Sequence, residues 1–209
     1  TIEELQRVAP DIDFVVVNDG SRDGTLALCK ASGFNYVSHP TNLGLTAGVQ
    51  TGMKYALRHG YEMAIQFDAD GQHDPAYISS LVAKMDEAQA DIVVGSRFVT
   101  EEKPKSLRMM GSNLISGMIK LTTGARIKDP TSGMRLYNKR AIQLFATQDW
   151  TSPEPDTLAC LIRKGYKVEE VQVSMRERTA GESYLNLTRS ISYMANTCMS
   201  ILLWQWFRR

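Results

Sequence analysis

Two acids one residue apart, Asp68 and Asp70, end the apolar run of the stretch EMAIQFDADGQHDP. Just past a strand end the chain turns, and both carboxylates can then face one site. Hard oxygen ligands of this kind suit Mg²⁺ or Mn²⁺, which bind through one or two carboxylates plus substrate phosphates. A divalent ion bridging a diphosphate would neutralise charge as a leaving group departs. A plainer reading has Asp74 capping a helix that starts at Pro75, with the other acids solvated. Of the three histidines, His39, His59 and His73, none is spaced from another as metal ligands are, and His73 beside the acids reads as solvated or capping.

The elements that must position these residues are legible. FVVV (Phe14–Val17) is a short β-branched strand running into the turn NDGS. A helix follows over Thr25–Lys30, with Thr25 as its cap, then a strand in FNYVSH. GLTAGVQTGMKYALRHG has apolar residues at helical spacing and stops at Gly60. MAIQF is a third strand, Pro75 to about Ala88 a helix, and DIVVGSR a fourth strand ending in Gly-Ser-Arg. A helix over Ser106–Leu121 leads to the turn and short strand of KDPTSGMRLY. Asp156–Lys164 reads as a helix, YKVEEVQVSM as a strand, and Leu187–Arg209 as a final helix. Strands separated by single helices predict a mostly parallel sheet with helices on both faces. Ligands of such sheets sit outside the carboxyl ends of the strands, where NDGS, DADGQ and GSR all fall.

With 209 residues, 43% hydrophobic and 22% charged, the chain reads as one globular α/β unit. A net charge of +1 gives no bulk electrostatic case for nucleic acid, so an anion site must come from local clusters. Cys29, Cys160 and Cys198 lack zinc spacing and read as buried thiols of a reducing compartment. No signal peptide is recognisable, and no run of about 18 apolar residues predicts a spanning helix.

Seven stretches, in order, carry a resemblance: VVVNDGSRDGT, HPTNLGLTAGVQTGMKYA, FDADGQHDP, VGSRF, DPTSGMRLY, RKGYKVEEVQV and RERTAGESY. They span Phe14–Tyr184, and the ordered set resembles the family 2 glycosyltransferases of the GT-A fold. The likeness is to the polyprenyl-phosphate sugar transferases related to dolichol-phosphate mannose synthase. The resemblance implies a Rossmann-like GT-A domain over 1–184, with 185–209 as a C-terminal helix that packs on it or lies at a membrane interface. It implies that Asp19 contacts the nucleotide of a sugar donor and that Asp68 and Asp70 form the D-x-D pair, with Asp70 the direct metal ligand and Gln72 completing the shell. Arg178 would reach the donor diphosphate, and Arg97, Arg108 and Ser112 would hold an acceptor phosphate. The residues agree in part: Arg108 and Ser112 share a helix face, and arginine forks onto phosphate and stays charged. Each arginine taken alone reads equally as half of a surface ion pair.

The implied reaction is inverting transfer from a nucleotide-sugar, with a UDP-sugar favoured, to a lipid phosphate. An alcohol acceptor would need a general base, whereas a phosphate needs mostly positioning. Glu154 and Asp156 sit where the wider family carries an acid near the acceptor and are the base candidates; Asp156 reads equally as a helix cap. The alternatives are transfer to a growing saccharide, a D-x-D-G phosphatase, and a non-catalytic sugar-nucleotide-binding domain. The phosphatase fits poorly, because its acid belongs to the first strand of its domain. The opening TIEELQRVAP reads as a helix already in progress, and nothing matches the family's first strand and P-x-Y-N-E loop; roughly 20–30 residues are expected before Thr1. Expected partners are the donor, the lipid phosphate, a membrane surface met by Trp204, Trp206, Arg208 and Arg209, a small membrane protein, or a second copy of the chain. That places the protein in the cytoplasm, peripheral at the inner face of the cell membrane.

Overall fold

The computed structural model describes residues 1–177 and 187–203; within helices, residues 107–108 and 187–191 are described by their backbone alone. The chain runs α1 (Ile2–Val8), β1 (Val16–Asn18), α2 (Thr25–Ala31), β2 (Tyr36–Ser38), α3 (Leu45–Arg58), β3 (Met63–Gln66), α4 (Ile78–Ala88) and β4 (Ile92–Ser96). It continues through α5 (Leu107–Thr123), β5 (Arg135–Asn138), α6 (Lys139–Thr147), α7 (Pro155–Arg163), β6 (Val168–Gln172) and α8 (Leu187–Leu203).

Local chemistry sets the ends. Asp74 accepts the Ala76 N–H and Pro75 opens a single 3₁₀ turn that leads into α4. Ser106 accepts the Met109 N–H to start α5, and Gly124, at φ 76°, ends it. Before α2 the cap is not Thr25: Asp23 accepts both the Thr25 N–H and its hydroxyl, at 2.9 and 2.6 Å.

β1 and β2 pair in parallel, and the remaining strands form a sheet in the order β3-β5-β4-β6. β4 and β6 are parallel, whereas β5 is antiparallel to both neighbours, with Gln66 and Val94 each opposite Arg135. β3, β4 and β6 thus run in the same direction, in keeping with the mostly parallel sheet expected, and β5 alone is reversed between them. The reversal has a consequence for the site. β3, β4 and β6 leave the sheet at the edge where β5 enters, so the loop before β5 arrives between the D-x-D turn and the Gly-Ser-Arg turn.

Helices cover both faces. Ile92, Val94 and Tyr137 point into one core with residues of α3, α5, α6, α7 and α8. Val93, Leu136 and Met134 point into the other, against α1 and α4. Ile92, Val93 and Val94 are fully buried, which explains the unbroken apolar run of β4, and each such side chain contributes about 1.5–3 kcal/mol. No helix among the described residues is long and apolar enough to cross a membrane.

Candidate active site

The turn after β3 is held from several sides. His73 is buried, and its Nδ1 accepts the Asp68 N–H at 2.9 Å, with Nε2 3.8 Å from Asp68 Oδ2. The histidine is thus neither solvated nor a helix cap; it pins the backbone of the first acid. Burial lowers its pKa against the pull of Asp68 and Asp70, so the ring is neutral and Nε2 carries the proton toward Asp68. Asp70 Oδ1 accepts the Gln72 N–H at 3.0 Å. From the far side, the Arg176 N–H donates to the Gln72 carbonyl at 3.0 Å, and its guanidinium reaches Glu4 and Asp74, each at 2.7 Å.

Gly133, in the loop before β5, packs onto the same turn: a Cβ there would stand 2.9 Å from Asp68 Oδ2 and 3.6 Å from His73 Cε1. Asp129 in that loop is fully buried and takes the Arg97 guanidinium in a fork, Nε to Oδ2 at 2.7 Å and Nη2 to Oδ1 at 2.8 Å, plus the Arg97 N–H at 3.1 Å. This pair raises the Arg97 pKa. Glu170 of β6 accepts the N–H groups of Lys128 and Asp129 at 2.7 and 2.8 Å. Gln172 bridges the Arg97 carbonyl and the Thr100 N–H at 2.9 and 2.8 Å. Buried Arg135 donates to the carbonyls of Pro130 and Ser132 at 2.7 and 2.9 Å. Three strand ends and the entry to β5 are therefore tied into one edge, with the turn of the two half-buried carboxylates and the Arg97 fork both held against the loop before β5.

Beyond Arg97 the edge continues through Phe98, whose ring lies 5.2 Å from the Arg97 Cζ and 5.4 Å from the Lys103 Nζ. Lys103 Nζ donates to Ser112 Oγ of α5 at 2.9 Å. Ser112 is buried, which places this expected phosphate residue beside the Arg97 ledge. Arg108 lies in the first turn of α5, its side chain outside the described residues, and Arg178 lies outside them altogether.

Asp19 stands at a different strand end. Its carboxylate accepts from His39 Nδ1 at 2.7 Å and from the N–H groups of Leu43 and Gly44, both at 2.8 Å. The His39 bond, then those N–H groups, lower its pKa. It thereby supplies the negative charge at the N-terminus of α3 that Gly44 lacks. Gly20, at φ 68°, is required beside it, since a Cβ would meet the Thr41 carbonyl carbon at 2.3 Å. These loops border a cavity of about 470 Å³ lined by Asn18, Ser21, Arg22, His39 and Asn42 among others.

Glu154 and Asp156 share a separate cavity of about 250 Å³ between α7 and α8, whose lining includes none of Asp68, Asp70 and Arg97. Tyr193 donates to Glu154 Oε2 and Ser200 to Asp156 Oδ2, each at 2.5 Å. The carboxylate and burial together push the Tyr193 pKa well up, burial most. Asp156 also accepts the Thr157 N–H at 2.8 Å.

The sequence reading misses Asp129, Glu170 and Gln172, which hold Arg97, and it misses Lys103. The acid of DPTSG immediately before a Pro was a visible signal for Asp129; the EEKPK stretch around Lys103 looks like an ordinary solvated charge run.

Comparison with known proteins bears on the family and the fold. Residues 1–145 match the family described as "Glycosyl transferase family 2". The chain is 28% identical over 198 residues to the polyprenol monophosphomannose synthase of Mycolicibacterium smegmatis, covering 88% of this chain and 74% of that one. It is 30% identical over 199 residues to the undecaprenyl-phosphate mannosyltransferase of Micrococcus luteus, covering 89% and 81%. In fold it matches glucosyl-3-phosphoglycerate synthase of Mycobacterium tuberculosis, solved with Mn²⁺, UDP and glucosyl-3-phosphoglycerate, at TM-score 0.61 and 13% identity over 96% of this chain and 73% of that one.

Proposed function

Because this chain belongs to glycosyl transferase family 2 and is a glycosyltransferase, we propose that it moves a sugar from a nucleoside diphosphate to a polyprenyl phosphate, with inversion at the anomeric carbon. The observation that carries the reading is the loop before β5, on which Gly133 packs against Asp68 and Asp129 forks Arg97, with Lys103 and Ser112 beyond: acids for a metal–diphosphate and cations for a second phosphate. The names of the two lipid-phosphate relatives support the acceptor class.

The donor set fits Mg²⁺ or Mn²⁺. Among the described residues no three His, Cys, Asp or Glu side chains converge into a cage, and these ions take one or two carboxylates and leave their other positions to water and phosphate. Asp70 and Asp68 would hold the ion, with Gln72 beside them, and the bound ion would neutralise the departing diphosphate. Asp19 is assigned to the nucleoside side, where it also shapes the loops of the larger cavity, and Arg178 to the diphosphate. Arg97, Arg108 and Ser112 are assigned to the acceptor phosphate. A phosphate monoester carries most of its second charge near pH 7, so its oxygen attacks without a base. Glu154 and Asp156 remain the groups a hydroxyl acceptor would use.

Peripheral membrane attachment accompanies this reading. α5 leaves Met110, Leu114 and Leu121 exposed along one stripe, and α8 leaves Met199, Leu202 and Leu203 exposed.

The test is a donor screen over GDP- and UDP-sugars with a short polyprenyl phosphate, reading nucleoside diphosphate release with and without Mn²⁺. Metal-dependent turnover, abolished in Asp70→Ala along with Mn²⁺-dependent donor binding, is expected. Turnover with oligosaccharide acceptors alone would overturn the acceptor assignment, and unchanged binding in Asp70→Ala would overturn the metal role.

A further inference from the structure

Lys103 is a half-buried ammonium with an unusual set of partners. Its Nζ meets two hydroxyls, Ser112 Oγ at 2.9 Å and Ser116 Oγ at 3.5 Å, and lies 5.4 Å from the Phe98 ring centre. Among the described residues no carboxylate lies within ion-pair distance of it. The nearby acids already have partners: Asp129 is forked by Arg97, and Glu170 accepts the N–H groups of Lys128 and Asp129. Lys128 sends its own ammonium to the Val99 carbonyl at 2.6 Å. A cation removed from water without a counter-ion is costly unless an anion joins it. Burial does lower the Lys103 pKa, and the field of Arg97 lowers it further, against the attraction of Asp129 and Glu170.

The position fits an anion. Arg97 Cζ and Lys103 Nζ both lie over the Phe98 ring, at 5.2 and 5.4 Å, and Asp129, which forks Arg97, belongs to the loop whose Gly133 packs on Asp68, so the ledge runs from that loop through Arg97 and Phe98 to Lys103 and Ser112. The ammonium and the Ser112 hydroxyl are one hydrogen bond apart, close enough to grip two oxygens of one phosphate.

We propose that Lys103 is a phosphate-binding residue of the acceptor site, acting with Ser112 at the end of the ledge away from the D-x-D turn. This rests on the polyprenyl-phosphate reading above. The ammonium would exchange its contact with Ser116 for a phosphate oxygen, and a charge-assisted hydrogen bond of this kind amounts to roughly 10- to 100-fold in affinity.

The test compares wild type, Lys103→Met, which keeps the stem and removes the charge, and Lys103→Arg. With a short polyprenyl phosphate, Lys103→Met is expected to raise the acceptor KM by about 10- to 100-fold, leave the donor KM within about twofold, and keep the wild-type melting temperature; Lys103→Arg recovers most of the loss. An unchanged acceptor KM, or equal rises in both KM values with a lowered melting temperature, overturns the proposal in favour of a brace between this loop and α5. Calorimetry of the same polyprenyl phosphate without donor separates the two readings. Binding that depends on Lys103 without any transfer retires the glycosyl acceptor and keeps the anion site, whereas equal binding by wild type and Lys103→Met retires the site. No binding by wild type overturns both.

Discussion

Gly133→Ala separates the fold from the site. The added methyl carbon would stand 2.9 Å from Asp68 Oδ2, well inside the ~3.5 Å of a relaxed contact, and 3.6 Å from His73 Cε1, an ordinary distance. The backbone at Gly133 is outside the left-handed region, so alanine brings no strain of its own. The clash falls on the end of a side chain that is 43% exposed and free to swing. Moving that carboxylate off its rotamer costs about 0.5–1.5 kcal/mol, which for a chain of this size lowers the melting temperature by a few degrees, at roughly 2–4 °C per kcal/mol. The oxygen must retreat by about half an ångström or more, and displacements of about 1 Å in a reacting constellation cost up to 100-fold.

The expected result is therefore a nearly normal melting curve with Mn²⁺-dependent donor binding and kcat/KM down about 10- to 100-fold. Differential scanning fluorimetry and calorimetry with the preferred nucleotide-sugar, with and without Mn²⁺, read the two halves separately. Wild-type donor affinity in Gly133→Ala would show that the position of Asp68 is not what the metal–diphosphate needs. Loss of the fold would show that the loop before β5 packs for stability and not to place the acid.

Two other substitutions probe the frame. Asp129→Asn leaves the Arg97 fork beside a neutral amide; Arg97 keeps some exposure, so the cost is the low end for a broken buried pair, about 3 kcal/mol, and a thermal melt should fall by about 6–12 °C with a raised acceptor KM. A melt within about 2 °C of wild type would mean the pair contributes nothing net. Asp19 has a folded-state pKa below its unfolded value, so its contribution is present above the ordinary carboxylate pKa of about 4 and is lost as pH falls through the depressed one. The gap in melting temperature between wild type and Asp19→Asn should accordingly be widest above about pH 4 and close in more acid buffer; a gap independent of pH would rule out the ionised carboxylate as its source.

What the sequence made legible follows from which forces are local. The apolar run of β4, the Asp74–Pro75 start and the Gly60 stop are written in neighbouring residues, and each element stands where they put it within a few positions. The direction of β5 is not local. RLYN has the same alternation in either direction, and only the length of α5 and the route of the loop from Gly124 to Met134 decide it. α6 escaped the reading although Ala141, Ile142, Phe145 and Ala146 are buried at helical spacing; it begins directly from β5, with Asn138 ending one element and capping the next, and no turn marks the boundary. In the site, the acids and arginines were visible as types. Their holders, Asp129, Glu170 and Gln172, come from loops and strands up to 75 residues away from the group they hold, and no sequence spacing encodes that distance.

The carboxylates of α7 bear on which acceptor the chain serves. A general base for a hydroxyl acceptor must lie within hydrogen-bond reach of the acceptor's proton at the reacting centre. Glu154 and Asp156 instead each accept a short hydrogen bond from α8, and they line a cavity apart from Asp68 and Arg97. A phosphate acceptor removes the need: it arrives ionised, and what it requires is cations that hold it in line with the sugar. In the proposed site that work falls to Arg97, forked by Asp129, and to Lys103, whose partners among the described residues are hydroxyls and the Phe98 ring. The arrangement of bases and cations thus favours a phosphate over a hydroxyl by the same physical argument from two parts of the molecule.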